Sequence, residues 1–294
     1  MASKASKLKS LLAEPVCYPI ACCWDALSAQ LIEEAGFPFT FMSGFAVSAS
    51  RIGAPDRGLI SYGEMVDQGR HICAATSFPV IGDGDTGYGN AMNVKRTVEG
   101  YAQAGFACVM IEDQVWPKRC GHVAGKSVVD RGEAMARLQA AIDVREQGAD
   151  ILIMARTDAR AVLGLDEAIW RAQGFAELGA DILFVEAPES EAELARVTEE
   201  APGIHMANMI EGGTTPFLPP GRLQELGYGF AAYPLTMFGA AIKAMRQALG
   251  IIEAGKPVGD AALSFRELQQ TVGFDRYDDE ESRYAGDEGA RKAS

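Results

Sequence analysis

Short apolar runs alternate with helix-type patterns along most of the chain. Several of the predicted helices end in a glycine, and an apolar run begins one or two residues later, as expected because glycine accepts the positive φ of a helix C-terminus. Near-continuous apolar runs between helices are typical of a buried parallel sheet. The pattern predicts eight strands, at residues 16–22, 37–42, 78–82, 106–111, 150–155, 181–185, 204–208 and 228–233.

Eight strand–helix units predict a (β/α)8 TIM barrel, and an open doubly wound sheet is the alternative. A long helix follows the eighth strand, and a charged, helical extension completes residues 236–284. We expect residues 1–294 to form one barrel domain with this extension and a disordered tail.

The composition argues against nucleic-acid-binding and membrane proteins. The net charge of −13 and pI near 4.8 argue against nucleic acid, because phosphate binding needs clustered Lys and Arg. The apolar runs are too short for a membrane span or a signal peptide. We therefore expect a cytoplasmic protein that binds neither nucleic acid nor membrane.

Polar side chains follow six of the predicted strands, where a barrel has its active site. Each of them alone could start a loop or cap a helix. Together they predict one shared site, and hence an enzyme. These residues are Ser43, Asp83 and Asp85, Glu112 and Asp113, Arg156 and Asp158, Glu186, and Asn208.

The chemistry of these side chains indicates a metal and an anionic substrate. Asp83, Asp85 and Glu112 offer hard oxygen ligands without a histidine, which favours Mg²⁺ or Mn²⁺. An acidic turn at Asp83 to Asp85 is the alternative. Arg156 suits a substrate carboxylate, because its planar fork pairs with two oxygens.

A long connection at residues 114–129 carries Lys118, Arg119, Cys120, Gly121 and His122. Connections of this length in a compact barrel are often lids over an active site. Cys120 alone among the six cysteines has a polar, cation-rich setting, in which a thiol can be reactive. It could transfer a proton once water is excluded. His122 is either part of this chemistry or a hydrogen-bonding strut.

These motifs together resemble the isocitrate lyase/phosphoenolpyruvate mutase superfamily over nearly the whole chain. The motifs that carry the resemblance are Ser43-Gly44, Pro55-Asp56, the Asp83-Gly84-Asp85 segment, Glu112-Asp113-Gln114, Lys118 to His122, and residues 155–159 and 207–216. The resemblance implies a (β/α)8 barrel whose last barrel helix is exchanged between subunits, giving a homodimer or a homotetramer.

The resemblance also implies roles for individual residues. Mg²⁺, or Mn²⁺, would be held by Asp83, Asp85 and Glu112, partly through water. A dicarboxylate would be bound by Ser43, Gly44, Phe45, Asp56, Gly121, Arg156, Glu186 and Asn208. The catalytic residues would be Cys120, Lys118, His122, Arg156 and Glu186.

Branch assignment rests on a few positions. Cys120 favours the carbon–carbon lyases over the phosphonate mutases, which lack it. Gly212 and Gly239 stand where methylisocitrate lyases have Phe and Arg, so a third substrate carboxylate would be left unpaired, at a cost of several kcal/mol. The pattern is closer to that of dimethylmalate lyases and oxaloacetate hydrolases.

We therefore expect Mg²⁺-dependent cleavage of a substituted malate, of the 2,3-dimethylmalate or 2-alkylmalate class, to a 2-oxo acid and a carboxylate. Cys120 would protonate the departing carbon. Glu186 and a metal-bound water both stay open as the base. The alternatives, in order, are an oxaloacetate hydrolase or decarboxylase, a methylisocitrate lyase, a phosphonate mutase and a barrel without catalysis.

Overall fold

The computed structural model describes residues 2–121 and 125–284. The chain divides into two compact units, Met1–Phe238 and Gly239–Ser294. The first unit contains eight parallel strands that close into a barrel in chain order. They are β1 (Tyr18–Cys23), β2 (Thr40–Met42), β3 (Val80–Asp83), β4 (Cys108–Glu112), β5 (Leu152–Thr157), β6 (Ile182–Val185), β7 (His205–Asn208) and β8 (Tyr228–Tyr233).

The closure excludes an open sheet. Strand β1 pairs in parallel with β2 on one side and with β8 on the other, where Tyr18 lies opposite Phe230. All eight predicted strands are present, and the predicted (β/α)8 barrel is confirmed.

Helices precede the first strand, lie between the strands and follow the last strand. They are α1 (Lys4–Leu12), α2 (Ala26–Glu34), α3 (Gly44–Arg51), α4 (Tyr62–Ala75), α5 (Ala91–Ala104), α6 (Arg131–Glu146), α7 (Ala159–Leu163), α8 (Leu165–Leu178), α9 (Glu191–Glu200), α10 (Pro220–Glu225) and α11 (Thr236–Glu253).

Local sequence explains where these helices begin and end. Asn90 accepts hydrogen bonds from the first-turn amides of α5, and Gly105 ends the same helix with a φ of 95°. Such caps satisfy backbone groups that have no partner inside the helix. Residue Phe106 then leads directly into β4, so the glycine stop fixes the spacing from helix to strand.

Helix α1 closes the N-terminal end of the barrel. Its buried residues Ala5, Leu8 and Leu12 join the cluster of apolar side chains that fills the barrel interior, including Phe39 and Phe230. The Lys4 Nζ donates hydrogen bonds to the carbonyl oxygens of Cys73 and Thr76 (2.8 and 2.7 Å). The barrel is therefore a packed core at this end.

The second unit is helical. Most of α11 belongs to it, and a 3₁₀ turn (Gly259–Ala261) is followed by α12 (Phe265–Val272) and α13 (Phe274–Ser282). The predicted helical extension is confirmed. The single-domain organisation and the exchange of a helix between subunits stay predictions. The expected tail at residues 285–294 lies outside the described residues.

No helix in the described ranges combines the length and apolar character that crossing a membrane requires.

Candidate active site

The C-terminal ends of the strands surround a cavity with ≈ 530 Å³ of empty space, including the part open to solvent. Ten of the residues expected at the site line it: Ser43, Gly44, Phe45, Asp56, Asp83, Cys120, Gly121, Arg156, Glu186 and Asn208.

The turn after β2 meets the end of β3 at the edge of the cavity. The amide of Gly44 donates a hydrogen bond to Asp83 Oδ2 (3.2 Å), and the Ser43 hydroxyl accepts one from the amide of Ala46. A Cβ atom on residue 44 would lie 2.3 Å from Asp83 Oδ2. Only glycine permits this approach. The backbone amide of Gly44, one of the residues expected to bind the substrate, is thus in contact with a carboxylate in this structure.

Lys118 is buried between two carboxylates. Its Nζ lies 2.6 Å from Asp56 Oδ1 and 2.7 Å from Asp85 Oδ1. Burial lowers the pKa of Lys118, but the charges of Asp85 and Asp56 outweigh this effect, so its pKa is raised well above the ordinary value. Lys118 is therefore a permanent cation beside Asp85, one of the three residues expected to hold the metal.

Glu112, at the end of β4, is buried beside Arg156. The Arg156 Nε lies 3.3 Å from Glu112 Oε2. Burial raises the pKa of Glu112 well above its ordinary value, and burial likewise raises the pKa of Asp85 to about 7. Both carboxylates need more positive charge nearby to be fully ionised at neutral pH.

Arg156 is the centre of an ion network. Its guanidinium donates two hydrogen bonds to Asp158 (2.8 and 3.1 Å), and its Nη2 lies 3.2 Å from Glu186 Oε2. The side-chain amide of Asn208 donates to both oxygens of Glu186 at 3.3 Å. The network fixes the orientation of Arg156 and Glu186 at the cavity wall.

The residues expected to hold a divalent ion fit one with water in its coordination shell. Within the described part of the chain, Asp85 Oδ2 and Glu112 Oε1 have no hydrogen-bond partner, whereas Asp85 Oδ1 and Glu112 Oε2 face the cations Lys118 and Arg156. Buried oxygens without partners are costly unless an ion or water binds them.

The same three residues do not form a complete protein cage. Among the described residues, no group of three His, Cys, Asp or Glu side chains is arranged to hold a metal directly. Mg²⁺ usually keeps several water ligands, so it needs few direct protein ligands. The donors present therefore suit Mg²⁺ better than a metal that demands a closed protein cage.

Cys120 lies at the cavity on the connection between β4 and α6. It is half-buried, whereas the other five cysteines are buried. A Cβ atom on residue 121 would lie 2.2 Å from Glu186 Oε2 and 2.6 Å from Arg156 Nη2, so the backbone next to Cys120 touches both side chains. His122 lies outside the described residues.

Reasoning from the sequence assigned no role to two kinds of residue at this site. One is the apolar part of the cavity wall: Cys22, Phe41, Met110, Phe184, Met206, Ile210, Ala232, Pro234 and Leu235. The other consists of Gln114 and Lys126, whose side chains bind the backbone beside Cys120. The position of Lys126 in the same glycine-rich connection was the available signal.

Comparisons with known proteins identify the family of this chain. The family model described as phosphoenolpyruvate phosphomutase matches residues 8–252. The chain belongs to this family, the phosphoenolpyruvate mutase/isocitrate lyase superfamily, and is an enzyme of its lyase group.

Three similar proteins within this family have names that describe their activity or ligands. A 2,3-dimethylmalate lyase from Eubacterium barkeri is 42% identical over 284 residues, covering 96% of this chain and 98% of the relative. A structure of oxaloacetate acetylhydrolase with the inhibitor 3,3-difluorooxalacetate superposes with a TM-score of 0.92 at 31% identity, covering 97% and 98% of the two chains. A phosphonopyruvate hydrolase in complex with oxalate and Mg²⁺ has a TM-score of 0.85 at 30% identity, covering 96% and 99%.

Proposed function

We propose that this enzyme is a Mg²⁺-dependent lyase that cleaves the C2–C3 bond of a substituted malate, of the 2,3-dimethylmalate or 2-alkylmalate class. The products are a 2-oxo acid and a carboxylate. The similarity to 2,3-dimethylmalate lyase over 96% of the chain supports this substrate class.

One observation carries the proposal: charged and apolar walls meet in a single cavity that holds both Cys120 and Arg156. The charged side provides for carboxylates, and Phe41, Met206 and Leu235 provide for alkyl groups. A substrate with both features is a diacid that carries alkyl substituents.

The charge balance supports a metal. Six buried carboxyl groups lie with three buried cations, so full ionisation would give a formal balance of −6 + 3 = −3; they are Asp56, Asp83, Asp85, Glu112, Asp158 and Glu186, with Lys118, Lys126 and Arg156. A dianionic substrate would be repelled from such a site. Mg²⁺ held by Asp83, Asp85 and Glu112 would supply the missing positive charge and polarise the oxygens of the substrate at C1 and C2.

The chain's own residues perform the remaining steps. Arg156, oriented by Asp158, binds a substrate carboxylate, and Asn208 orients Glu186 by donating a hydrogen bond to its carboxylate. Glu186, which lines the cavity, is our candidate for the base that accepts the proton of the C2 hydroxyl, and a metal-bound water is the alternative. When the C2–C3 bond breaks, its electron pair stays on C3, and the Cys120 thiol protonates that carbon.

The test is a substrate panel. Purified enzyme with Mg²⁺ is incubated with 2,3-dimethylmalate, 2-alkylmalates, methylisocitrate, oxaloacetate and phosphonopyruvate, and 2-oxo acids and oxalate are measured by mass spectrometry. Fastest turnover of an alkyl malate supports the proposal. Turnover of oxaloacetate or phosphonopyruvate alone contradicts it.

Oxaloacetate hydrolysis is the second candidate. The TM-score of 0.92 to oxaloacetate acetylhydrolase favours it, and the product oxalate would use the same charged wall. A methylisocitrate lyase is less favoured by the sequence, because Gly212 and Gly239 stand where those enzymes have Phe and Arg. A phosphonate mutase would not need the thiol of Cys120.

We also propose that the enzyme is a homo-oligomer, a dimer or a tetramer that exchanges α11 between subunits. None of the residues of α11 is buried in a single chain, and Met245, Leu249 and Ile252 are exposed on it. Large exposed apolar surfaces usually mark interfaces. Light scattering on the purified enzyme gives the oligomeric state, and a monomeric mass contradicts the proposal.

A further inference from the structure

The backbone on both sides of Cys120 is held by buried polar side chains. We propose that Gln114 and Lys126 form a backbone clamp that positions the Cys120 thiol for proton transfer. They act through the backbone of the neighbouring residues, so they are positioning residues. The inference rests on the proposed role of Cys120 as the proton donor.

Gln114 holds the residue before the thiol. Its Nε2 donates to the Arg119 carbonyl oxygen (2.8 Å), and its Oε1 accepts from the Arg119 amide (3.0 Å). One carboxamide thus binds both the amide and the carbonyl oxygen of Arg119. These two hydrogen bonds resemble the pair that a residue makes with a neighbouring antiparallel β-strand. Gln114 is only 1% exposed, so water does not compete for these bonds.

Gln114 is itself fixed from two sides. Its backbone pairs with Val128 in an isolated antiparallel bridge, and its carbonyl oxygen accepts a hydrogen bond from Arg137 Nη1 (2.8 Å). The base of the connection is therefore closed, and the carboxamide projects from a rigid position. A rigid support is what a positioning group requires.

Lys126 holds the residue after the thiol. Its Nζ donates to the Gly121 carbonyl oxygen (2.5 Å) and to Asp158 Oδ1 (2.7 Å). The side chains of Lys126 and Asp158 are 3% and 0% exposed. Because Asp158 also binds Arg156, Lys126 ties the backbone next to Cys120 to the residue proposed to bind the substrate carboxylate.

In this proposal, the side chains of Gln114 and Lys126 restrict the position of the Cys120 thiol, which the ion pairs of Lys118 do not do on their own. Proton transfer to carbon requires the donor within hydrogen-bond reach of the acceptor, and a misplacement of about 1 Å can cost about a hundredfold in rate. A thiol between two bound backbone positions has little freedom to leave its place.

The test measures the thiol directly. Gln114→Glu keeps the acceptor for the Arg119 amide and removes the donor to the Arg119 carbonyl, and Lys126→Met removes both bonds of the ammonium. With Mg²⁺ present, alkylation of Cys120 by iodoacetamide is followed by peptide mass spectrometry. We expect the alkylation rate to rise about tenfold in each variant, since each loses a buried hydrogen bond that involves a constrained group.

Matched controls lie outside the clamp. Lys95→Met breaks an ion pair with Asp143, and Gln173→Glu removes a hydrogen bond to the Glu200 carbonyl. We expect neither to change the alkylation rate. In the clamp variants, kcat falls about tenfold with KM little changed, and Lys126→Arg, which restores a donor, recovers most of the loss.

The two hypotheses fail separately. An unchanged alkylation rate in folded Gln114→Glu and Lys126→Met overturns the clamp, whatever their activity. Full turnover of Cys120→Ser overturns the proposed function of the thiol. Faster alkylation together with the kcat loss and the arginine rescue supports the clamp.

Discussion

The two ends of the barrel are built on opposite principles. At the N-terminal end, α1 packs Leu8 and Leu12 onto apolar side chains, and the interior is filled. At the C-terminal end, six carboxylates and three cations are buried around a cavity. Apolar burial stabilises the fold, whereas buried charges cost stability unless they are paired. The comparison teaches that one end is optimised for stability and the other for chemistry.

Metal removal should show the largest difference between the two ends of the barrel, because it should abolish turnover and leave the fold intact. If the carboxylate-rich end needs Mg²⁺, chelation with EDTA lowers turnover about a thousandfold or more, because the ion contributes several kcal/mol of charge stabilisation. Circular dichroism should show an intact barrel, and added Mg²⁺ should restore turnover. Undiminished turnover after chelation would remove the metal from the mechanism.

Substitution of Cys120 by serine tests the C-terminal end of the barrel by changing a single atom, the sulfur. We expect Cys120→Ser to lower kcat about a hundredfold to a thousandfold, which is the usual contribution of a general acid. The melting temperature should stay the same, because the side chain is only half-buried. Cys73→Ser, close to α1, is the control, and its turnover should equal that of the wild type. The proposed role of Cys120 is rejected if both variants are equally active.

The reverse result is expected at the N-terminal end. Leu8→Ala should lower the free energy of unfolding by about 2–5 kcal/mol, because it leaves a cavity at a fully buried position. Its kcat should differ from the wild type by less than about twofold, since no chemistry occurs there. Urea denaturation gives the stability. The exposed Leu59 provides the control, and Leu59→Ala should be as stable as the wild type. A large loss of kcat in Leu8→Ala would contradict the separation of roles.

A smaller effect should come from His205, the first residue of β7. Burial lowers the pKa of His205, and its Nε2 lies 2.7 Å from the Ala201 carbonyl oxygen. The unfolded chain then binds a proton more readily than the folded one, so stability is complete above pH ~6.5 and is lost as the pH falls below it.

Urea denaturation between pH 5 and 8 checks this expectation. In His205→Gln the loss of stability towards low pH should be smaller than in the wild type. His71→Gln, on the exposed side of α4, is the matched control. An identical pH dependence in all three proteins would show that His205 carries no such linkage.

The fold was readable from the sequence because each of its signals is local. Apolar runs after glycine stops such as Gly105 and Gly179 place strands without reference to the rest of the chain. Polar residues at strand ends then meet by topology alone, since all parallel strands of a barrel end at the same rim. Asp83, Arg156 and Glu186 reach the cavity for this reason.

The sequence did not predict which cation pairs with which carboxylate. Lys118 binds Asp56 and Asp85, which precede it by 62 and 33 residues (118 − 56 and 118 − 85), and Lys126 binds Asp158, 32 residues later (158 − 126). No periodicity encodes which cation meets which carboxylate, because this depends on the path of an irregular connection. Gln114 was visible as part of a motif, but its role follows only from its contacts with Arg119.

The packed N-terminal end of the barrel has a consequence for the order in which the two products are released after bond cleavage. With α1 sealing one side, both fragments must depart through the opening that admitted the intact substrate. The fragment lying deeper waits until the outer one has gone. An unreactive mimic of the deeper fragment should therefore remain bound while the outer half of the cavity exchanges freely with solvent.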